Sequence, residues 1–156
     1  LEVYPNASFI ATHRDPVQAL ASNCSLAAML RRGTSEAVDL HEVGQQMKAM
    51  IHTYLERLVA FDQSFTGNIA HVDYTTAVAR PEEAVAQAFA ALDIEMTPAF
   101  SQSIIDWRRD NPPGKRGTHD YDLADYGLDA RQVAADYAFY IDRFAIPAEQ
   151  GAQHGG

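Results

Sequence analysis

An apolar strand that runs directly into a helix start is the feature that most constrains this chain. Residues 8–11 are largely apolar, Arg14 follows, and Asp15 and Pro16 then open a helix. Aspartate is a favourable N-cap, and proline suits the first helical position because its missing N–H would be unsatisfied there in any case. Arg14 is therefore predicted at the carboxyl edge of a strand, where open α/β sheets bind their ligands.

Ser22 is the second residue that this junction singles out. It follows Arg14 by eight residues and lies about 9 Å along the helix axis, at ~1.5 Å per residue. Helical side chains lean towards the N-terminus, so its hydroxyl can point towards the arginine. A guanidinium and a hydroxyl beside one crevice suit a phosphate. A surface arginine paired with a carboxylate and an ordinary exposed serine explain the same residues without a ligand.

The apolar spacing of this helix favours the phosphate site over that alternative. Ser22 lies beside the predicted apolar stripe and not within it, so it is not predicted to be a core serine. The stripe comprises Val17, Leu20, Ala21, Cys24 and Ala28.

Residues 4–16, with a serine eight residues after the arginine, resemble the 3′-phosphate-binding segment of sulfotransferases. The His-Arg-Asp-Pro form is similar to a bacterial branch of that family, and the resemblance extends to about residue 146. It implies a P-loop NTPase-like α/β fold, here incomplete and mostly helical with a short parallel sheet. It also implies that Arg14 and Ser22 hold the 3′-phosphate of the sulfonate donor, 3′-phosphoadenosine 5′-phosphosulfate (PAPS).

The resemblance implies donor contacts in two further places. Tyr74 ends the second predicted strand, where sulfotransferases have a tyrosine close to the adenine, although Thr75 replaces the acidic residue usual in the family. Packing of the ring on a helix is the simpler alternative. Lys115, Arg116 and Gly117 resemble the basic loop that closes over the 3′-phosphate. A solvated loop accounts for Lys115 equally well.

The family's other donor-binding element is a glycine-rich loop that cradles the 5′-phosphosulfate and belongs upstream of this segment. Residues 1–130 contain no such loop. We therefore expect residues 1–147 to form the C-terminal part of a single sulfotransferase domain, inactive alone, and residues 148–156 to form a flexible tail. The usual catalytic base is also expected upstream, so the base is unassigned. His13 and His119 are the candidates within the chain.

Composition narrows the classes of partner. A net charge of −9 argues against general nucleic-acid binding, which requires a basic surface. A few local cations still suffice for one anionic small ligand. Cys24 has no internal disulfide partner and no run of about 18 apolar residues occurs, which indicates a cytoplasmic protein without a transmembrane segment. The sequence has no His/Cys cluster with metal-ligand spacing, so no metal is expected.

Hydrophobic spacing predicts a mostly helical chain with two strands. Two strands separated by a helical crossover favour a parallel pair. Trp107 could line an apolar or sugar-binding pocket, but a core position is favoured. The predicted elements are helices over 16–32, about 35–65 and 130–146, helices from Pro81 and Pro98, strands over 8–13 and 69–74, and a polar loop over 110–127.

The sequence thus predicts a PAPS-dependent enzyme that transfers a sulfonate group to a hydroxyl or amine of a small-molecule acceptor, such as a sugar or a lipid. A non-catalytic helical domain, or a degenerate family member used for binding, is the alternative. A P-loop kinase is disfavoured because such enzymes bind a nucleoside triphosphate through a Walker loop and Mg²⁺. The sequence gives no sign of a Walker loop or of a Mg²⁺ site. The sequence identifies neither the acceptor nor the oligomeric state.

Overall fold

The computed structural model describes residues 3–35, 37–112 and 122–149, and it divides into two compact units. The strand unit comprises the described residues up to Arg14 and those from Ser64 to Pro112. The helical unit comprises the described residues from Asp15 to Gln63 and from Asp122 to Glu149. The predicted junction between strand and helix therefore coincides with a boundary between units.

Two parallel strands form the centre of the strand unit. β1 (Phe9–His13) pairs with β2 (Ile69–Asp73) in a register that runs from Phe9 beside Ile69 to His13 beside Asp73. The predicted parallel pair is confirmed. Three helices follow: α3 (Tyr74–Ala79), α4 (Pro81–Ala91) and α5 (Pro98–Asp110). Tyr74 begins α3 and does not end the strand, because Asp73 caps the helix.

Small residues allow α4 to pack closely on β2. Ala70 on the strand and Ala88 and Leu92 on the helix side are buried together, with Val72 packed against them. The rings of Phe89 and Phe100 stack with centroids 5.4 Å apart. Proline stands at the start of both α4 and α5, as predicted.

The helical unit contains α1 (Pro16–Arg32), α2 (Leu40–Ser64, its last residue in the strand unit), α6 (Ala130–Asp136) and α7 (Ala138–Phe144). A 3-10 turn spans Leu123–Tyr126. The predicted bounds of the first helix are confirmed, and so is its apolar stripe, which is buried from Leu20 to Ala28. The buried core of the unit consists of Leu20, Ala21, Cys24, Ala28, Val43, Ile51, Leu123, Tyr126, Leu128, Val133 and Tyr137.

Three predicted features of the helices are wrong. α2 begins at Leu40, because the Asp39 carboxylate accepts hydrogen bonds from the N–H groups of His41 and Glu42 and so fixes the helix start. The predicted last helix is interrupted at Tyr137, whose buried phenol donates to the Lys48 carbonyl at 2.8 Å. Trp107 is 62% exposed and is not a core residue.

The predicted polar loop over 110–127 also needs correction. Its described part contains the 3-10 turn, in which Leu123 and Tyr126 are buried in the core. Among the described residues, no helix has the length and apolar character needed to cross a bilayer.

Candidate functional site

The carboxyl ends of the two strands bring Arg14 and Tyr74 together. Arg14 is the first residue after β1, and Tyr74 is the first residue after β2. The guanidinium lies over the phenol ring, with Cζ 4.5 Å from the ring centroid. Such a cation–π contact restricts the orientation of a guanidinium, the group whose forked N–H geometry matches a phosphate.

A pair of histidines links the same strand ends. His13 Nε2 and His71 Nδ1 are 2.8 Å apart, and the two rings stack with centroids 5.1 Å apart and planes 27° apart. His13 is only 5% exposed, whereas His71 is exposed. His13, a sequence candidate for the catalytic base, is thus a buried ring in contact with another imidazole. Local sequence patterns do not indicate this pair, since only the strand register shows that the two residues share a face.

Asp73 fixes the other side of the site. Its carboxylate accepts hydrogen bonds from the Thr76 N–H at 2.7 Å and from the hydroxyls of Thr75 and Thr76. Partial burial would raise the pKa of this carboxyl, but these hydrogen bonds outweigh it and hold the pKa below its usual value. Thr75, which departs from the family pattern, therefore has a structural role in the start of α3.

Ser22 belongs to the helical unit and is described within it. It lies half-buried on α1, beside the buried residues Ala21 and Cys24. Its hydroxyl has no hydrogen-bond partner among the residues that the structure describes. The helix begins as predicted: the Asp15 carboxylate accepts from the Val17 N–H at 2.9 Å, and Pro16 is buried in the first turn.

The remaining predicted site residues, Lys115, Arg116, Gly117 and His119, lie outside the described residues. In the described ranges, no group of three or more His, Cys, Asp or Glu side chains could hold a metal ion. The guanidinium of Arg14 in the strand unit and the hydroxyl of Ser22 in the helical unit are each hydrogen-bond donors. The chemistry of each group suits a phosphate such as the 3′-phosphate of PAPS, which accepts hydrogen bonds and carries negative charge.

Comparison with known proteins gives two matches. Residues 1–98, more than half of the chain, match the sequence profile described as the sulfotransferase family. The fold matches the crystal structure of sulfotransferase STF9 from Mycobacterium avium with a TM-score of 0.81 and 25% identity. The match covers 96% of this chain and 39% of that one, so the chain spans about two fifths of that protein's length. No curated protein has significant sequence similarity to the chain.

Proposed function

The chain belongs to the sulfotransferase family, and from this premise we propose that it supplies the 3′-phosphate part of a PAPS site. The enzyme would transfer the sulfonate group to a hydroxyl or amine of a small-molecule acceptor, for example a sugar or a lipid. The incomplete P-loop-like α/β fold agrees with the partial match to a sulfotransferase structure. We place the enzyme in the cytoplasm, on the support of its single unpaired cysteine.

The observation that carries the proposal is the guanidinium of Arg14 at the carboxyl edge of two parallel strands, over the Tyr74 ring. A ligand that binds there meets a cation whose orientation is already restricted, so less conformational entropy is lost on binding. The chain as a whole carries a net charge of −9. Attraction of an anion therefore depends on a few local cations, of which Arg14 is one.

Ser22 and the basic segment have supporting roles in the proposal. Ser22 would donate its hydroxyl to a phosphate oxygen, since no described residue takes that hydrogen bond. Lys115, Arg116 and Gly117 would close over the same phosphate, and their part rests on the sequence resemblance. Tyr74 would contact the nucleotide through its ring or hold Arg14 in place.

PAPS, when bound, supplies the sulfonate group and a leaving nucleotide bisphosphate. Arg14 and Ser22 would hold that nucleotide in position, which aligns the reaction without making or breaking bonds. We assign no residue of this chain to removal of the acceptor proton. His13 and His119 remain the candidates within the chain, and the His13 ring is buried and in contact with His71.

Replacing Arg14 by alanine tests the proposal. Adenosine 3′,5′-bisphosphate should bind to the Arg14→Ala variant at least tenfold more weakly, because a hydrogen bond to a charged group contributes ~1.5–3 kcal/mol. The affinity of the variant for adenosine 5′-monophosphate, which lacks the 3′-phosphate, should change little. Titration calorimetry with both nucleotides measures the difference.

The control is Arg57→Ala, which removes an exposed arginine of α2. It should leave both affinities unchanged. Equal losses for the two nucleotides in Arg14→Ala would contradict a 3′-phosphate contact. If the full-length parent protein does not bind the bisphosphate, the non-catalytic alternative is favoured.

A further inference from the structure

We propose that His71 is a positioning residue for Arg14. Through its contact with His13 it fixes the end of β1, so that the next residue keeps its guanidinium over the Tyr74 ring. The geometric part of this inference stands on the strand ends alone. Its consequence for nucleotide binding rests on the proposed function of Arg14.

The first support is the burial of His13. Its side chain is 5% exposed, and its Nε2 lies 2.8 Å from His71 Nδ1. A buried polar nitrogen that loses its partner is unfavourable, so the ring is held where the partner is. Which ring donates depends on the tautomers, but either arrangement ties the side chain of His13 to β2.

The second support is the place where strand pairing stops. The backbone register ends with His13 beside Asp73, and Arg14 lies one residue beyond it. The last paired residue of β1 thus sets the direction in which the chain leaves the sheet. The contact between His13 and His71 lies one residue before Arg14 and joins a side chain of β1 to a side chain of β2.

The third support is an asymmetry between the two strand ends. The β2 end is fixed by Asp73, which caps α3 through the Thr76 N–H and hydroxyl at 2.7 and 2.9 Å. Tyr74 is thereby held by the helix that it begins. At the β1 end, the contact between His13 Nε2 and His71 Nδ1 ties the last strand residue before Arg14 to β2.

Two replacements of His71 separate this role from simple packing. Asparagine keeps a polar atom near the position of Nδ1, whereas leucine has similar bulk and no hydrogen-bonding group. His41→Leu is the matched control, since His41 is exposed at the start of α2. His71 is itself exposed, so its replacement removes little buried apolar surface.

The readout is the NMR shift of the Arg14 side chain in the nucleotide-free protein. A ring face shields nearby protons, so the δ-methylene protons of Arg14 should resonate upfield of their ordinary position. In His71→Leu they should move at least halfway back, whereas His71→Asn and His41→Leu should keep the shielding. Unchanged Arg14 shifts in a folded His71→Leu protein would overturn the proposal.

The parent protein offers a test that does not depend on a variant. Its imidazole ¹⁵N spectra at neutral pH should show one of the paired nitrogens, His13 Nε2 or His71 Nδ1, protonated and protected from exchange with water. Rapid exchange at both nitrogens would contradict a fixed contact.

Nucleotide binding then connects the geometry to function. His71→Leu should lower the affinity for adenosine 3′,5′-bisphosphate about fivefold and leave the affinity for adenosine 5′-monophosphate unchanged. His71→Asn should keep the parent's affinity for both nucleotides. Loss of the Arg14 shielding with no change in bisphosphate affinity would support the positioning role and count against the proposed function of Arg14. Equal weakening of both nucleotides would contradict positioning through Arg14.

Discussion

The carboxylate of Asp15 accepts a hydrogen bond from the backbone N–H of Glu149, with Oδ2 2.9 Å from the nitrogen. Its other oxygen, Oδ1, accepts from the Val17 N–H at the start of α1. Asp15 is only 7% exposed, so both oxygens exchange water for protein donors. One side chain therefore caps a helix and anchors the chain beyond α7.

Replacing Asp15 by alanine should destabilise the protein more than loss of an ordinary cap. Loss of a cap alone costs ~1 kcal/mol, and the Glu149 N–H would lose its acceptor as well. Asp129→Ala is the control, since Asp129 caps α6 through the Gln132 N–H. Urea unfolding should show a loss of about 2 kcal/mol for Asp15→Ala and about half of that for the control. Equal losses would show that the contact with Glu149 contributes nothing.

Ser22→Ala should weaken nucleotide binding selectively. A hydroxyl that donates to a phosphate oxygen makes a hydrogen bond to a charged group, so its removal should cost roughly tenfold in affinity for adenosine 3′,5′-bisphosphate. Ser25, also half-buried on α1, provides the control variant Ser25→Ala. Calorimetric titration of the two variants distinguishes the sites. If both serine variants bind as the parent does, Ser22 is an ordinary helical serine.

Gly44→Ala should destabilise the protein, although alanine usually favours a helix over glycine by ~0.5–1 kcal/mol. The added Cβ would lie 2.3 Å from the Tyr126 carbonyl oxygen, a backbone atom that cannot rotate away. Overpacking of this kind costs about 1–3 kcal/mol. At Gly33, with helical φ of −68° and a Cβ 3.2 Å from the Leu30 oxygen, alanine should change stability less. Thermal unfolding of both variants provides the measurement, and a higher melting temperature for Gly44→Ala would refute the steric argument.

Stability should fall at alkaline pH in a way that depends partly on Cys24. Burial raises the pKa of its thiol from 9.0 to about 11. The folded state thus keeps a proton that the unfolded state releases above pH 9. Stability from this group is complete below pH 9 and decreases by ~1.4 kcal/mol per pH unit as the pH rises towards 11.

The variant Cys24→Ala isolates that contribution. Burial also raises the pKa of Tyr137, so some alkaline loss of stability should remain in the variant. Urea unfolding at pH 8, 9 and 10 should show a shallower decline for Cys24→Ala than for the parent. Identical slopes would mean that the thiol is not protected from ionisation in the folded state.

Local sequence signals predicted much of the fold. Asp15 and Pro16 mark the start of α1, Thr97 and Pro98 mark that of α5, and both helices begin there. These signals act through a hydrogen bond or a fixed φ within one turn, so neighbouring residues suffice to recognise them. The late start of α2 follows the same chemistry: Asp39 was a cap that the apolar spacing alone did not reveal.

Contacts between distant segments could not be predicted in the same way. The pairing of His13 with His71 and the stacking of Arg14 on Tyr74 depend on the strand register, which no single segment encodes. Trp107 was misplaced because its helical spacing resembles that of a core residue, whereas its position on α5 leaves it exposed. The involvement of Arg14 and Ser22 with a nucleotide stays a prediction until binding is measured.

The parallel pairing of β1 with β2 also determines when the candidate site can form during folding. Phe9 and Ile69 are neighbours in the sheet although about sixty residues separate them in sequence. Closing a flexible loop of that length costs about 3.6 kcal/mol plus a constant. The helices α1 and α2, which come between the two strands in the sequence, are made of local contacts that form faster. Arg14 and Tyr74 therefore meet late, after the intervening helices. A refolding chain should consequently acquire nucleotide affinity in its slowest phase, after most of its helical circular dichroism signal has returned.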